Sequence, residues 1–160
     1  MRVRKLVAEQ KTQTEDTQWR EDDIPPRHAP CYVKSRPVRA GFKWRSARAV
    51  TNDNKSEYVL LAQCNPRKDE WKSWLIQMTD KGGSVVGRFE FHGTHPGLHI
   101  HAHCGRSGVD TGPESIDGLA RIPSGTSHHR RVDRTWTENG FWEASRKFFR
   151  IGDKKGALGI

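Results

Sequence analysis

The sequence predicts an α+β fold: an antiparallel sheet of about five strands, one C-terminal helix packed on it and an extended N-terminal arm. Three observations predict it. From about residue 42 to residue 104, short apolar or alternating runs are separated by turn residues, as in consecutive antiparallel strands. Phe141, Trp142, Ser145, Phe148 and Phe149 fall at i, i+1, i+4, i+7 and i+8, a single stripe of an α-helix. Residues 1–35 read as an arm, polar and mixed in charge from Lys11 to Asp23, with Trp19 the one large apolar residue of that stretch. The remainder, 36–155, is expected to be a single domain, since 160 residues suffice for one core without staples.

Taken in order, the arm ends in Ile24-Pro25-Pro26-Arg27-His28-Ala29-Pro30. Proline fixes its own φ and restricts the residue before it, which predicts an extended path over the domain or onto a partner. Phe42 to Val50 begins by alternating aromatic with basic residues and predicts the first strand, closed by the turn Asn52-Asp53-Asn54-Lys55. Glu57 to Cys64 is a largely apolar strand that Asn65-Pro66 breaks. Trp71 to Thr79 and Ser84 to Phe91 form a hairpin across Asp80-Lys81-Gly82-Gly83. Leu98 to Cys104 is the last strand, entered through Gly93-Thr94-His95-Pro96-Gly97. Residues 105–134 are glycine-rich and irregular, the pattern of a long functional loop. For the helix, Thr135-x-x-Glu138 offers a capping box, Gly152 a stop, and Arg146, Lys147 and Arg150 suit its C-terminal dipole.

Lys and Arg outnumber Asp and Glu by 28 to 19, a net charge of +9. A basic surface favours a polyanion, because each neutralised phosphate releases counterions; RNA is the expected partner. The excess is concentrated in residues 36–56, where Arg36, Arg39, Lys43, Arg45, Arg48 and Lys55 face a single acid, Asp53. Within that stretch Phe42, Lys43, Trp44, Arg45 and Arg48 read either as a nucleic-acid track or as a sheet strand with one aromatic face in the core. On the first reading Arg45 and Arg48 contact substrate. Cys31, Cys64 and Cys104 have no metal-like spacing, and Cys64 and Cys104 read as small core residues. No apolar stretch reaches membrane-spanning length, and Met1-Arg2-Val3-Arg4-Lys5 lacks the apolar run of a secretory signal. A cytoplasmic, reducing setting is expected. Neither a P-loop nor a Ser-His-Asp or Cys-His arrangement can be assembled.

The chemistry concentrates in histidine. Seven of eight histidines lie in two clusters: His92, His95, His99, His101 and His103, then His128 and His129. In Leu98-His99-Ile100-His101-Ala102-His103-Cys104 the alternation has a period of two, so a strand there puts the apolar residues on one face and His99, His101 and His103 on the other. Metal-independent cleavage of a phosphodiester needs a base for the attacking hydroxyl and an acid for the leaving oxygen, and two imidazoles near their ordinary pKa fill both roles. Cations must balance the charge that builds on the phosphate, and Arg106, His128, His129, Arg130 and Arg131 are the candidates. RNA brings its own nucleophile, the 2′-hydroxyl. An endoribonuclease acting without cofactor is therefore the leading expectation. A non-catalytic nucleic-acid or ribonucleoprotein-binding module is the second. The third is a divalent-metal site built from His99, His101 and His128, since His-x-His on one strand presents two nitrogens to one ion. Gly93-x5-His99-x-His101 and Gly118-x4-Pro123-x-Gly125-x2-His128 resemble the two metal motifs of cupin barrels, without the acidic ligand expected after the first pair.

The hairpin ending in Arg88-Phe89-Glu90-Phe91, the stretch His92-x-x-His95-Pro96, the His-x-His strand and the closing helix together resemble the small TumE-like toxins of bacterial toxin–antitoxin pairs, over about residues 57–151. The resemblance implies RNA cleavage, an antitoxin as protein partner, and His92, His95, His99, His101 and His103 as the functional residues. The longer arm, the 105–134 loop and His128-His129-Arg130-Arg131 have no counterpart in that family's pattern.

Overall fold

The computed structural model describes residues 2–29, 38–53, 55–80, 82–92, 97–102 and 136–153, with 2–4, 92 and 97–102 described by backbone alone. The fold is α+β. Its elements run α1 (Arg2–Ala8), β1 (Lys11–Asp16), β2 (Lys43–Thr51), β3 (Glu57–Asn65), a 3-10 turn (Pro66–Lys68), β4 (Glu70–Thr79), β5 (Gly82–His92), β6 (Gly97–Ala102), α2 (Glu138–Phe148) and β7 (Ile151–Gly152). Among the described residues the sheet has seven strands in the order β6-β5-β4-β3-β2-β1-β7, not about five. Strands β1 to β6 form an antiparallel meander. The sheet is not wholly antiparallel, because β7 pairs parallel to β1 through Lys11↔Ile151 and Thr12↔Gly152.

Within the expected arm, 1–35, the described residues 2–29 depart most from expectation. Instead of an extended arm, α1 and β1 open the fold, and β1 pairs with β2 from Lys11↔Thr51 to Asp16↔Ala47. Lys11-Thr12-Gln13-Thr14-Glu15-Asp16 has no apolar alternation. Backbone pairing holds the strand, together with one anchor that hydropathy hides. Lys11 is fully buried, and its Nζ donates to the carbonyls of Leu6 (2.6 Å), Glu9 (2.8 Å) and Phe149 (3.1 Å). One ammonium thus satisfies open carbonyls at the ends of both helices. Burial pushes the Lys11 amine down to about 8, with Glu9 pulling it back up.

The sheet has two covered faces. Against the first lies α2, burying Phe141, Trp142 and Phe149 on Tyr58, Leu60, Ala62, Cys64, Trp71, Leu75, Phe89 and Phe91. The helical stripe is the one the sequence predicts. Its cap differs: Thr137, not Thr135, accepts the Gly140 N–H at 2.9 Å, and Glu138 instead takes the Lys43 ammonium at 2.8 Å. The helix stops at Phe148 and turns through Arg150 at φ 58°, while Gly152 belongs to β7. The second face carries Trp44, Val59, Leu61, Trp74, Ile76 and Val85, covered in part by Ile24 and Ala29. The proline segment is therefore not simply extended: His28 N–H bonds to Pro25 C=O (2.9 Å) and Ala29 N–H to Pro26 C=O (3.2 Å), bending it down onto the sheet. β3 is buried on both faces, which explains its nearly continuous apolar run. Cys64 lies in the core, its thiol pushed up to about 12 by burial. Among the described residues no helix is long and apolar enough to cross a membrane.

Candidate functional site

The predicted histidine strand exists over 97–102, at one end of the sheet order and hydrogen-bonded to β5. Its register is Phe91↔Leu98, Glu90↔His99, Phe89↔Ile100, Arg88↔His101 and Gly87↔Ala102. Residues directly opposite each other in an antiparallel pair share a face. Phe89 and Phe91 are buried on the α2 side, so positions 98 and 100 belong to that side. Positions 88, 90 and 92 of β5, and 97, 99 and 101 of β6, belong to the second face. The alternation read from the sequence thus falls on a real strand. His99 and His101 are two residues apart on it, about 6.5 Å between Cα atoms, and each cross-strand partner is about 5 Å away.

These partners are what sequence reasoning missed. Glu90 is only 4 % exposed, and its Oε2 lies 2.5 Å from Nε of Arg88, whose side chain is 29 % exposed. On the other flank Glu90 pairs with Lys72 of β4, and Arg88 with Trp74. The second face therefore carries two polar rows running across β4, β5 and β6: Lys72, Glu90 and His99, then Trp74, Arg88 and His101. The signal was present in Arg88-Phe89-Glu90-Phe91-His92, which alternates with the same period of two as the histidine strand. Read only as one arm of a hairpin, it yielded no cross-strand partners for the histidines.

The other predicted residues divide into three sets. His92 closes β5 opposite Gly97, on the same ladder. His95, His103, Arg106, His128, His129, Arg130 and Arg131 lie outside the described residues, as does the whole 105–134 loop. Arg45 and Arg48, expected on the substrate surface, stand elsewhere. β2 is four strands from β6, about 19 Å across the sheet. Arg45 is 8 % exposed on the α2 side, with Nε and Nη2 donating to Asp16 at 2.9 and 2.6 Å and its guanidinium 4.4 Å from the Trp142 ring centre. Arg48 is on the second face, half-buried, and donates to the Arg27 carbonyl at 3.1 Å. Both cations are engaged within the fold, which favours the reading of β2 as a core strand over a nucleic-acid track.

Of the alternative metal set, His99 and His101 sit on β6 and His128 lies outside the described residues. Among the described residues no three of His, Cys, Asp and Glu converge as a metal group would require. The chain matches no family model, no curated protein and no solved structure.

Proposed function

We propose that this protein is a metal-independent endoribonuclease whose site is the polar surface of β5 and β6 on the face away from α2. The observation that carries this reading is the register that sets His99 opposite Glu90 and His101 opposite Arg88. One of the two imidazoles takes the proton of the RNA 2′-hydroxyl, O2′ attacks phosphorus, and the P–O5′ bond breaks. The other gives its proton to the departing 5′-oxygen, and the products are a 2′,3′-cyclic phosphate and a free 5′-hydroxyl. Arg88 balances the charge that gathers on the phosphoryl oxygens. His92, His95 and His103, with Arg106, His128, His129, Arg130 and Arg131, supply further cationic contacts to the strand. The net charge of +9 agrees with an RNA partner. On the resemblance to TumE-like toxins, a protein antitoxin is the second partner, and the substrate is cytoplasmic RNA.

The test is incubation of purified protein with end-labelled RNA, with and without EDTA. EDTA-resistant cleavage leaving a cyclic phosphate is expected, and His101→Ala lowers it by at least about 100-fold without altering the circular dichroism spectrum. Undiminished cleavage by His101→Ala overturns the assignment. EDTA-sensitive cleavage transfers His99, His101 and His128 to a divalent metal, and salt-sensitive binding with no product makes the chain a nucleic-acid-binding module.

A further inference from the structure

The eighth histidine, outside both clusters, occupies an unusual place. His28 is 8 % exposed, with its ring 5.5 Å from that of Trp44 and Nδ1 3.2 Å from Oγ of the buried Ser46. It lies in the short strap, residues 24–29, whose Ile24 and Ala29 close over Trp44, Val59, Leu61, Trp74, Ile76 and Val85. Two turn hydrogen bonds shape the strap from within, and its contacts to the sheet include the Arg27–Glu15 pair at 3.0 Å and the Arg48 bond to the Arg27 carbonyl. The charged groups acting on the ring are Arg27 of the strap, Arg48 of β2, Arg20 of the segment bridged to Trp44, and Glu15 of β1. Arg27 is paired with Glu15 and Arg20 with Asp22, which leaves the Arg48 guanidinium as the cation that no carboxylate among the described residues offsets. A neutral imidazole fits this pocket. An imidazolium does not, because burial strips its charge of water and Arg27 and Arg48 oppose it.

We infer that residues 24–29 are an acid-released strap: protonation of His28 lifts them from the sheet and uncovers the apolar face of Trp44, Val59 and Leu61. Burial, then the charges of Arg27 and Arg48, hold the His28 pKa below its ordinary value while the strap is closed. The released ring takes a proton at the ordinary value. Closure is therefore fully favoured above about pH 6.5, the unperturbed histidine value, and loses ground as pH falls below it. The uncovered face continues to Trp74, the cross-strand partner of Arg88, so acid remodels the surface beside the histidine rows. This inference stands whether or not the chain cuts RNA.

Hydrogen exchange at pH 7.5 and 5.0, corrected for intrinsic rates, tests it. Protection of the His28 and Ala29 amides falls at least about fivefold at pH 5.0 while β3 amides keep theirs. Equal strap protection at both pH values overturns the inference, and so does β3 opening together with the strap. His28→Phe keeps a ring against Trp44 without a titrating proton, and its strap stays protected at pH 5.0. A strap that opens in His28→Phe as in the wild type sinks the idea.

Discussion

Arg45 shows how a cation that reads as a ligand contact becomes part of the frame. Its guanidinium lies over Trp142 and closes a two-pronged pair with Asp16, so it joins β2, β1 and α2 at one point. Burial alone would raise the Asp16 carboxyl. The Arg45 hydrogen bonds, the Gln18 amide (2.8 Å) and the charges of Arg45 and Arg146 more than offset it and hold the carboxyl below its usual range. The unfolded chain therefore binds the proton more readily, and the pair's contribution is fully present above about pH 3.9 and lost as pH falls through the folded value. Asp16→Asn is expected to cost about 2 kcal/mol at pH 7, a figure kept low because the carboxylate is partly exposed. Its urea midpoint should also fall less steeply than the wild type's as pH drops below 4. Parallel acid limbs for the two proteins would show that Asp16 does not carry this titration.

At the scale of elements, what could be read from the sequence depended on whether apolar period or backbone pairing defines the element. α2 was legible because five large or small residues mark one stripe and bury as a unit. β3 and β4 were legible because their apolar runs fill the cores on both faces. β1 was not, since its anchors toward the core, Lys11 and Asp16, are charged, and β7 was not, since two residues carry no period. The cap of α2 was misread by two residues because Thr135 and Thr137 both precede the stripe. Gly140 decides between them: a Cβ there would approach the Thr137 Oγ1 to 2.9 Å, a contact that real side chains avoid. The absence of a side chain at Gly140 lets the hydroxyl sit against its N–H. Thr137→Ala should then destabilise the protein by about 1 kcal/mol, read as a lower urea midpoint with unchanged slope. Thr137→Ser, which keeps the oxygen, should recover most of that loss.

Across the whole molecule, the sheet separates two tasks. The α2 face holds the aromatic core, with Phe141 against Trp71, Phe89 and Trp136, and the Ser73–Ser145 hydrogen bond (2.8 Å) ties sheet to helix. The second face carries the polar rows of β4 to β6 and the strap over β2 and β3. The histidines were legible in the sequence because they alternate within one strand. Glu90 and Arg88 were not assigned because a cross-strand partner depends on register, which no single strand specifies. This division makes stability and the proposed chemistry separable. Phe141→Leu opens a small void on the α2 side and should cost about 1–2 kcal/mol, while RNA cleavage per folded molecule stays within about twofold of wild type. His101→Ala should do the reverse, removing cleavage and leaving the urea midpoint nearly unmoved. In the double variant the stability loss should match that of Phe141→Leu within about 0.5 kcal/mol, as for sites that share no contact. If cleavage instead collapses in folded Phe141→Leu, the two faces communicate through the sheet, and the α2 core has to be counted as part of the site's support.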